Sequence, residues 1–158
     1  MAAPGKWKLY DKAKLRIGDG TFDLDSTSNW KCAFFTSASN CNTLSVGTGV
    51  YGDLTNELAN GNGYTTGGIA LTGVTWTESA GVVSFDCNDV AMTASGATKT
   101  WRYAVVYQDA TLNGVVKPLL CVELLDTAPA DVSVTDTNTA TLQMPSGGLF
   151  DLSGATTD

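Results

Sequence analysis

The run GNGYTTGGIALTGVTW, residues 61–76, sets Gly61, Gly63, Gly67 and Gly68 at a density that elsewhere wraps backbone amides around a phosphate. A phosphate loop follows a strand, opens a helix and places a lysine at the helix start, because helix end and ammonium together neutralise the ligand. Here a polar loop precedes the glycines, a strand-like segment follows them, and no lysine is near. The predicted role is structural: the four glycines supply positive φ in a turn and let backbone pass close where a loop enters a sheet.

The remaining reactive side chains are sparse. The chain has no histidine, which removes the imidazole base of the familiar hydrolase triads. Asp86 and Asp89 flank Asn88 after a strand-like run, a setting in which carboxylates commonly serve turns. Glu123 lies inside LLCVELL, where a buried carboxylate would need a partner such as Arg102; an edge-facing or paired structural glutamate is the reading favoured. Asp23 and Asp25 alone are too few ligands for a calcium loop. Cys32, Cys41, Cys87 and Cys121 contain no C-x-x-C pair, so no zinc site is expected. Cys87 and Cys121 sit in apolar runs as small buried hydrophobes; a disulfide between Cys32 and Cys41 stays open, with free thiols favoured. No cofactor is expected. Trp76, Trp101, Tyr103 and Tyr107 could stack on a sugar, although core packing explains the same pattern.

The elements that must position these groups are mostly strands. Few charges, 17 glycines and many hydroxyl side chains indicate a β-rich domain with a hydroxyl- and amide-covered surface. Strands are predicted over 30–36, 69–77, 82–87, 101–108, 117–125, 131–135, 139–144 and 149–152, joined by Gly, Asn and Asp turns. That spacing indicates an antiparallel sandwich or barrel. In 101–107, Trp101, Tyr103, Val105 and Tyr107 share one face and Arg102, Ala104 and Val106 the other, which marks a central strand apolar on both sides. Residues 6–17 are read as one amphipathic helix stopped by Gly18 and Gly20. Residues 37–63 form a long polar connection with a helical turn expected at 52–59, and this loop is a candidate contact surface.

Charge is unevenly spread. Residues 1–20 carry Lys6, Lys8, Lys12, Lys14 and Arg16 against Asp11 and Asp19, a net +3, which leaves −10 for residues 21–158 out of the total −7. The organisation read from this is a basic N-terminal arm and helix over 1–20, followed by a single β-sandwich domain over 21–158. An acidic body argues against a nucleic-acid partner. No apolar run approaches bilayer-spanning length, and none follows the N-terminal lysines, so neither a membrane span nor a secretory signal is expected and synthesis in a cytoplasm is.

The segments GNGYTTGGIAL, VVSFDCNDV, RYAVVYQD and PLLCVELL, with GTFDLDSTSNWKCAFFT after the short helix, resemble a family of small virion structural proteins of tailed bacteriophages. The resemblance spans about Leu9 to Leu152. It implies a non-enzymatic, jelly-roll-like β-sandwich on the phage particle: a capsid cement or decoration protein, or a head- or tail-associated component. The implied partners are the major capsid protein and neighbouring copies in a homo-dimer or homo-trimer. Segment 38–50 and the tail GATTD depart from the pattern, so no partner surface is transferred from the family. The basic segment supplies one instead: Lys6, Lys8, Lys12, Lys14 and Arg16 as charges, Trp7 and Tyr10 as apolar anchors, and the 38–63 loop beside them. A glycan-binding or tail-associated sandwich module is the alternative.

Overall fold

The computed structural model describes residues 6–128 and 130–153. The fold is mainly β and antiparallel, with one short helix. In chain order the elements are β1 (Lys8–Leu9), α1 (Asp11–Gly18), β2 (Trp30–Phe35), β3 (Ile69–Ala70), β4 (Thr75–Ser79), β5 (Val82–Asp86) and β6 (Val90–Thr93). They continue with β7 (Lys99–Trp101), β8 (Tyr103–Gln108), β9 (Thr111–Leu112), β10 (Val115–Val116), β11 (Leu119–Leu124), β12 (Val132–Val134), β13 (Thr139–Leu142) and β14 (Phe150–Ser153). Among the described residues no helix is long and apolar enough to cross a membrane.

A five-stranded sheet ordered β1-β11-β8-β2-β3 forms the middle layer. β8 sits between β2 and β11, as its two apolar faces require, and all its residues but Tyr103 are buried. Trp30 meets Phe85 of β5 edge-on at 5.0 Å, and Phe34 stacks on Trp101 of β7 at 5.0 Å, so one face of this sheet is covered by the smaller sheets. Those are β14-β5-β4, β13-β6 and β12-β7. On the other face Tyr107 stacks at 4.5 Å on Tyr51, which the 37–63 loop delivers, and α1 packs on β11.

Several boundaries differ from expectation for local reasons. The predicted helix over 6–17 starts only at Asp11, because Lys8 and Leu9 pair with Val122 and Cys121 and the chain there alternates with a strand's period. Strand 101–108 breaks at Arg102, whose N–H bonds to the Phe35 carbonyl at 2.8 Å while its carbonyl accepts from Leu125. The break sends Trp101 to the Phe34 side, so it does not share a face with Tyr103, Val105 and Tyr107. Strand 69–77 divides at Gly73, with φ +62°. The turn expected at 52–59 is a 3-10 turn at Tyr51–Asp53. β6 and the β9–β10 hairpin were not expected; the hairpin turns on Asn113 and Gly114, both at positive φ.

All four cysteines are free and buried. Burial pushes the Cys41 thiol up to about 11 and that of Cys87 up to about 12, and raises Cys32 and Cys121 as well. Neutral-pH titration with a thiol reagent is therefore expected to label none of them quickly in the native protein and all four after unfolding; rapid native labelling would contradict this packing.

Candidate functional site

The glycine run folds around a carboxylate of the chain itself. Glu57 pairs across the end of β2 with Phe35. Its Oε1 accepts from the Tyr64 hydroxyl at 2.6 Å and from the Gly67 N–H at 2.7 Å, and its Oε2 accepts from the Tyr51 hydroxyl. Tyr64 in turn accepts from the Phe34 N–H at 3.0 Å, and the Tyr107 hydroxyl donates to the Gly67 carbonyl at 2.7 Å. The Gly67 amide that could have met a phosphate is already bonded to Glu57. Burial, followed by the Glu57 carboxylate, raises both the Tyr51 and Tyr64 phenols, so these hydroxyls stay protonated and donating. Asp109 bridges Lys31 and Lys117, each at 2.7 Å, beside the Tyr51 ring, and those two bonds hold its carboxyl below the usual range. The cluster is a satisfied lock between loop and sheet. Tyrosines and a glutamate brought together from positions 51–107 leave no sequence signal beyond their types.

Gly61, Gly63, Gly67 and Gly68 all have positive φ, as the turn reading requires. A Cβ at Gly63 would run into the Thr93 carbonyl oxygen, and one at Gly68 into the Cys32 carbonyl oxygen. These are the close backbone approaches expected where the loop enters the sheet.

The other candidate acids are also engaged or isolated. Asp86 accepts from the adjacent Cys87 N–H and Asp89 from the distant Met144 N–H, both at 2.8 Å, so the first serves its own turn and the second ties two segments together. Glu123 does not pair with Arg102. The bend at Arg102 points the guanidinium at Asp131, Nε to Oδ1 2.7 Å, while Glu123 stands opposite Ala104 with Oε2 buried and unpartnered. Among the described residues no group of three or more His, Cys, Asp or Glu side chains is placed to hold a metal ion. The four rings considered for sugar stacking form no exposed platform: Trp101 and Tyr107 are buried, and half-buried Trp76 packs on Phe150.

The basic segment divides into two sets. Trp7 and Tyr10 belong to the core, which removes them as exposed anchors; the Tyr10 hydroxyl donates to the Cys41 carbonyl at 2.6 Å. Tyr10, the residue that caps α1, is followed at steps of three by Ala13 and Arg16 on the buried side of the helix. Arg16 is buried too, its guanidinium donating to the Gly49 and Thr48 carbonyls, and burial lowers its pKa. Lys6, Lys8, Lys12 and Lys14 are exposed, and Lys14 pairs with Asp11 at 3.1 Å.

The 37–63 loop is fixed rather than loose. Asn40 donates to the Asp53 carbonyl and accepts from the Thr55 N–H, and Asn56 donates to the Ala38 carbonyl, each at 2.9 Å. Asp53 accepts from the Thr48 and Val50 amides; burial pushes its carboxyl up, but these bonds outweigh it and hold the pKa below the usual range. Cys41, Val46 and Leu58 face the core, leaving an outer rim of Ser, Thr, Asn and Gly.

Comparison with known proteins finds no matching family model, no matching curated protein and no matching solved structure.

Proposed function

We propose that this chain is a non-enzymatic virion structural protein of a tailed phage, a capsid cement or decoration protein that binds the major capsid protein and stabilises the head. The observation that carries the reading, beside the resemblance in sequence, is the state of the cations. Lys14, Lys31, Lys117 and Arg102 are in ion pairs, and Lys99 and Arg16 bond to backbone carbonyls. Among the described residues, Lys6, Lys8 and Lys12 are the cations without such a partner, and all three are exposed side chains of one short segment, 6–12, in an otherwise acidic protein. A free cationic strip of this kind suits an acidic surface on a partner, and contacts that are weak singly become strong when many copies decorate one particle.

Co-sedimentation with particles lacking the protein tests this. The parent chain is expected to bind heads in a salt-sensitive way, and reversal of Lys6, Lys8 and Lys12 to glutamate to weaken attachment by about tenfold or more. Attachment unaffected by the triple reversal would overturn the electrostatic contact, and density confined to the tail would overturn the capsid location.

A further inference from the structure

β4 is an outer strand of the sheet β14-β5-β4. The two-residue turn that joins it to β5, Ala80 and Gly81 with φ +52° and +82°, has the geometry of a tight hairpin. Such a turn makes its flanking residues, Ser79 and Val82, a hydrogen-bonded pair, and the alternation then commits Thr77 and Thr75 to β5 as well. Trp76 and Glu78 therefore direct N–H and C=O to the open side. Among the described residues, no backbone bond links either residue to an element other than β5.

Little blunts this edge: Glu78 is its one charged side chain. The strand TWTES has no proline, lysine or bulge, the usual devices against edge pairing, and all its residues but Trp76 are exposed. Its faces are sharply divided. Thr75, Thr77 and Ser79 form a hydroxyl row; Trp76 lies with Phe85 and Phe150 on the other side, followed outward by Val83 and by exposed Leu152. Glu78, also on that side, has Oε1 held by the Gly81 N–H at 2.6 Å, back at the turn. The other outer strand, β14, differs: a two-fold pairing centred on Asp151 would oppose two carboxylates.

We infer that β4 is the surface through which two copies of this chain associate, pairing antiparallel with β4 of a second copy about a two-fold axis at Thr77. This register is self-complementary. Trp76 stands opposite Glu78 of the second copy, so the outward N–H and C=O of each meet those of the other, and the two-fold repeats the exchange. Thr77 meets Thr77 on the hydroxyl face, a favourable cross-strand pair with no opposed charge. On the other face each indole covers the stem of the opposing glutamate, so the Trp76–Phe85–Phe150 row of one copy runs on into the Glu78–Val83–Leu152 row of the next. The contact identifies the copy-to-copy surface of the virion reading, but it is a property of the free protein.

The free protein is therefore the sample, examined by light scattering after size-exclusion chromatography. A dimer is expected for the parent chain. Thr77→Lys and Thr77→Glu should each shift the protein to monomer by placing like charges opposite each other, with circular dichroism unchanged because Thr77 is exposed. An equimolar mixture of the two variants should recover the dimer, associating about tenfold more tightly than either alone. A parent that stays monomeric at the highest soluble concentration, a dimer indifferent to Thr77→Lys, or a mixture that does not recover would each overturn the inference. Asp151→Lys, on the opposite edge, should leave the dimer intact; its loss would move the contact away from β4. Head attachment is scored separately, so failure of this contact is distinguishable from failure of the capsid reading.

Discussion

Alanine at Gly68 is expected to lower the unfolding free energy by about 3 kcal/mol, against about 1 kcal/mol for alanine at Gly61. Both residues have positive φ, +82° at Gly68 and +91° at Gly61, so both substitutions carry the left-handed backbone penalty. They differ in what a methyl group would meet. At Gly61 nothing lies within 4 Å, and the cost stops at the backbone. At Gly68 the Cβ would collide with the Cys32 carbonyl oxygen and lie 2.7 Å from the Ala33 Cα. Those atoms belong to β2, which is bonded to β3 on one side and β8 on the other and has no room to move away. Urea unfolding of the two variants measures the difference. Equal losses would mean that backbone strain alone explains the glycines and that loop and sheet do not approach as closely as described. The experiment also bears on the phosphate-like spacing of the run, since a glycine required by a neighbouring strand needs no ligand to account for it.

How far the sequence exposes this architecture depends on the range of the interaction. The strands β2, β8 and β11 are legible because their residues are apolar on both faces, and centrality of β8 follows from that pattern alone. The break at Arg102 is not legible, because Trp101 and Tyr103 continue the apolar pattern across it; backbone bonds to Phe35 and Leu125 set it. Positive φ at Gly63 and Gly68 could be read locally, but the carbonyls they approach, on Thr93 and Cys32, lie 30 and 36 residues away in sequence. Trp7 and Tyr10 are suitable residue types for an exposed anchor and for a core, and the pairing of Lys8 and Leu9 with β11 decides for the core. Asn113-Gly114 was a readable hairpin signal whose strands are too short to show a period. The apolar neighbours of Glu123 raise the question of a buried carboxylate, but they do not show that it is buried without a partner, because the bend at Arg102 turns that guanidinium to Asp131.

That unpartnered carboxylate gives the second large effect: Glu123→Met is expected to raise stability at neutral and alkaline pH and to flatten its dependence on pH. Glu123 is 2% exposed, its Oε2 has no hydrogen-bond partner, and burial pushes its carboxyl from the ordinary 4.5 up to about 7. Between these two values the folded chain holds a proton that the unfolded chain has released. The contribution of Glu123 to stability therefore falls as pH rises through this window, is fully present below 4.5, and levels off above about 7. With about 1.4 kcal/mol for each pH unit, the full loss is about 3 kcal/mol. Asp53 and Asp109 act with the opposite sign, since their carboxyls are held below 3.8 and their contributions are lost only as pH falls through the more acidic range. The two effects are thus separable on one pH axis. Methionine keeps the length and removes the charge, and an apolar group of similar shape in place of a buried unpaired ion is neutral to stabilising. Glu123→Gln should also remove the slope, but with a smaller gain, because its amide must find partners in the same apolar setting. Urea unfolding of parent and variants from about pH 4 to pH 8 decides the matter. Parallel profiles for parent and Glu123→Met would rule this carboxyl out as the source of the slope. A flat Glu123→Met profile, converging with the parent at acid pH and lying above it at alkaline pH, assigns the slope to this one side chain.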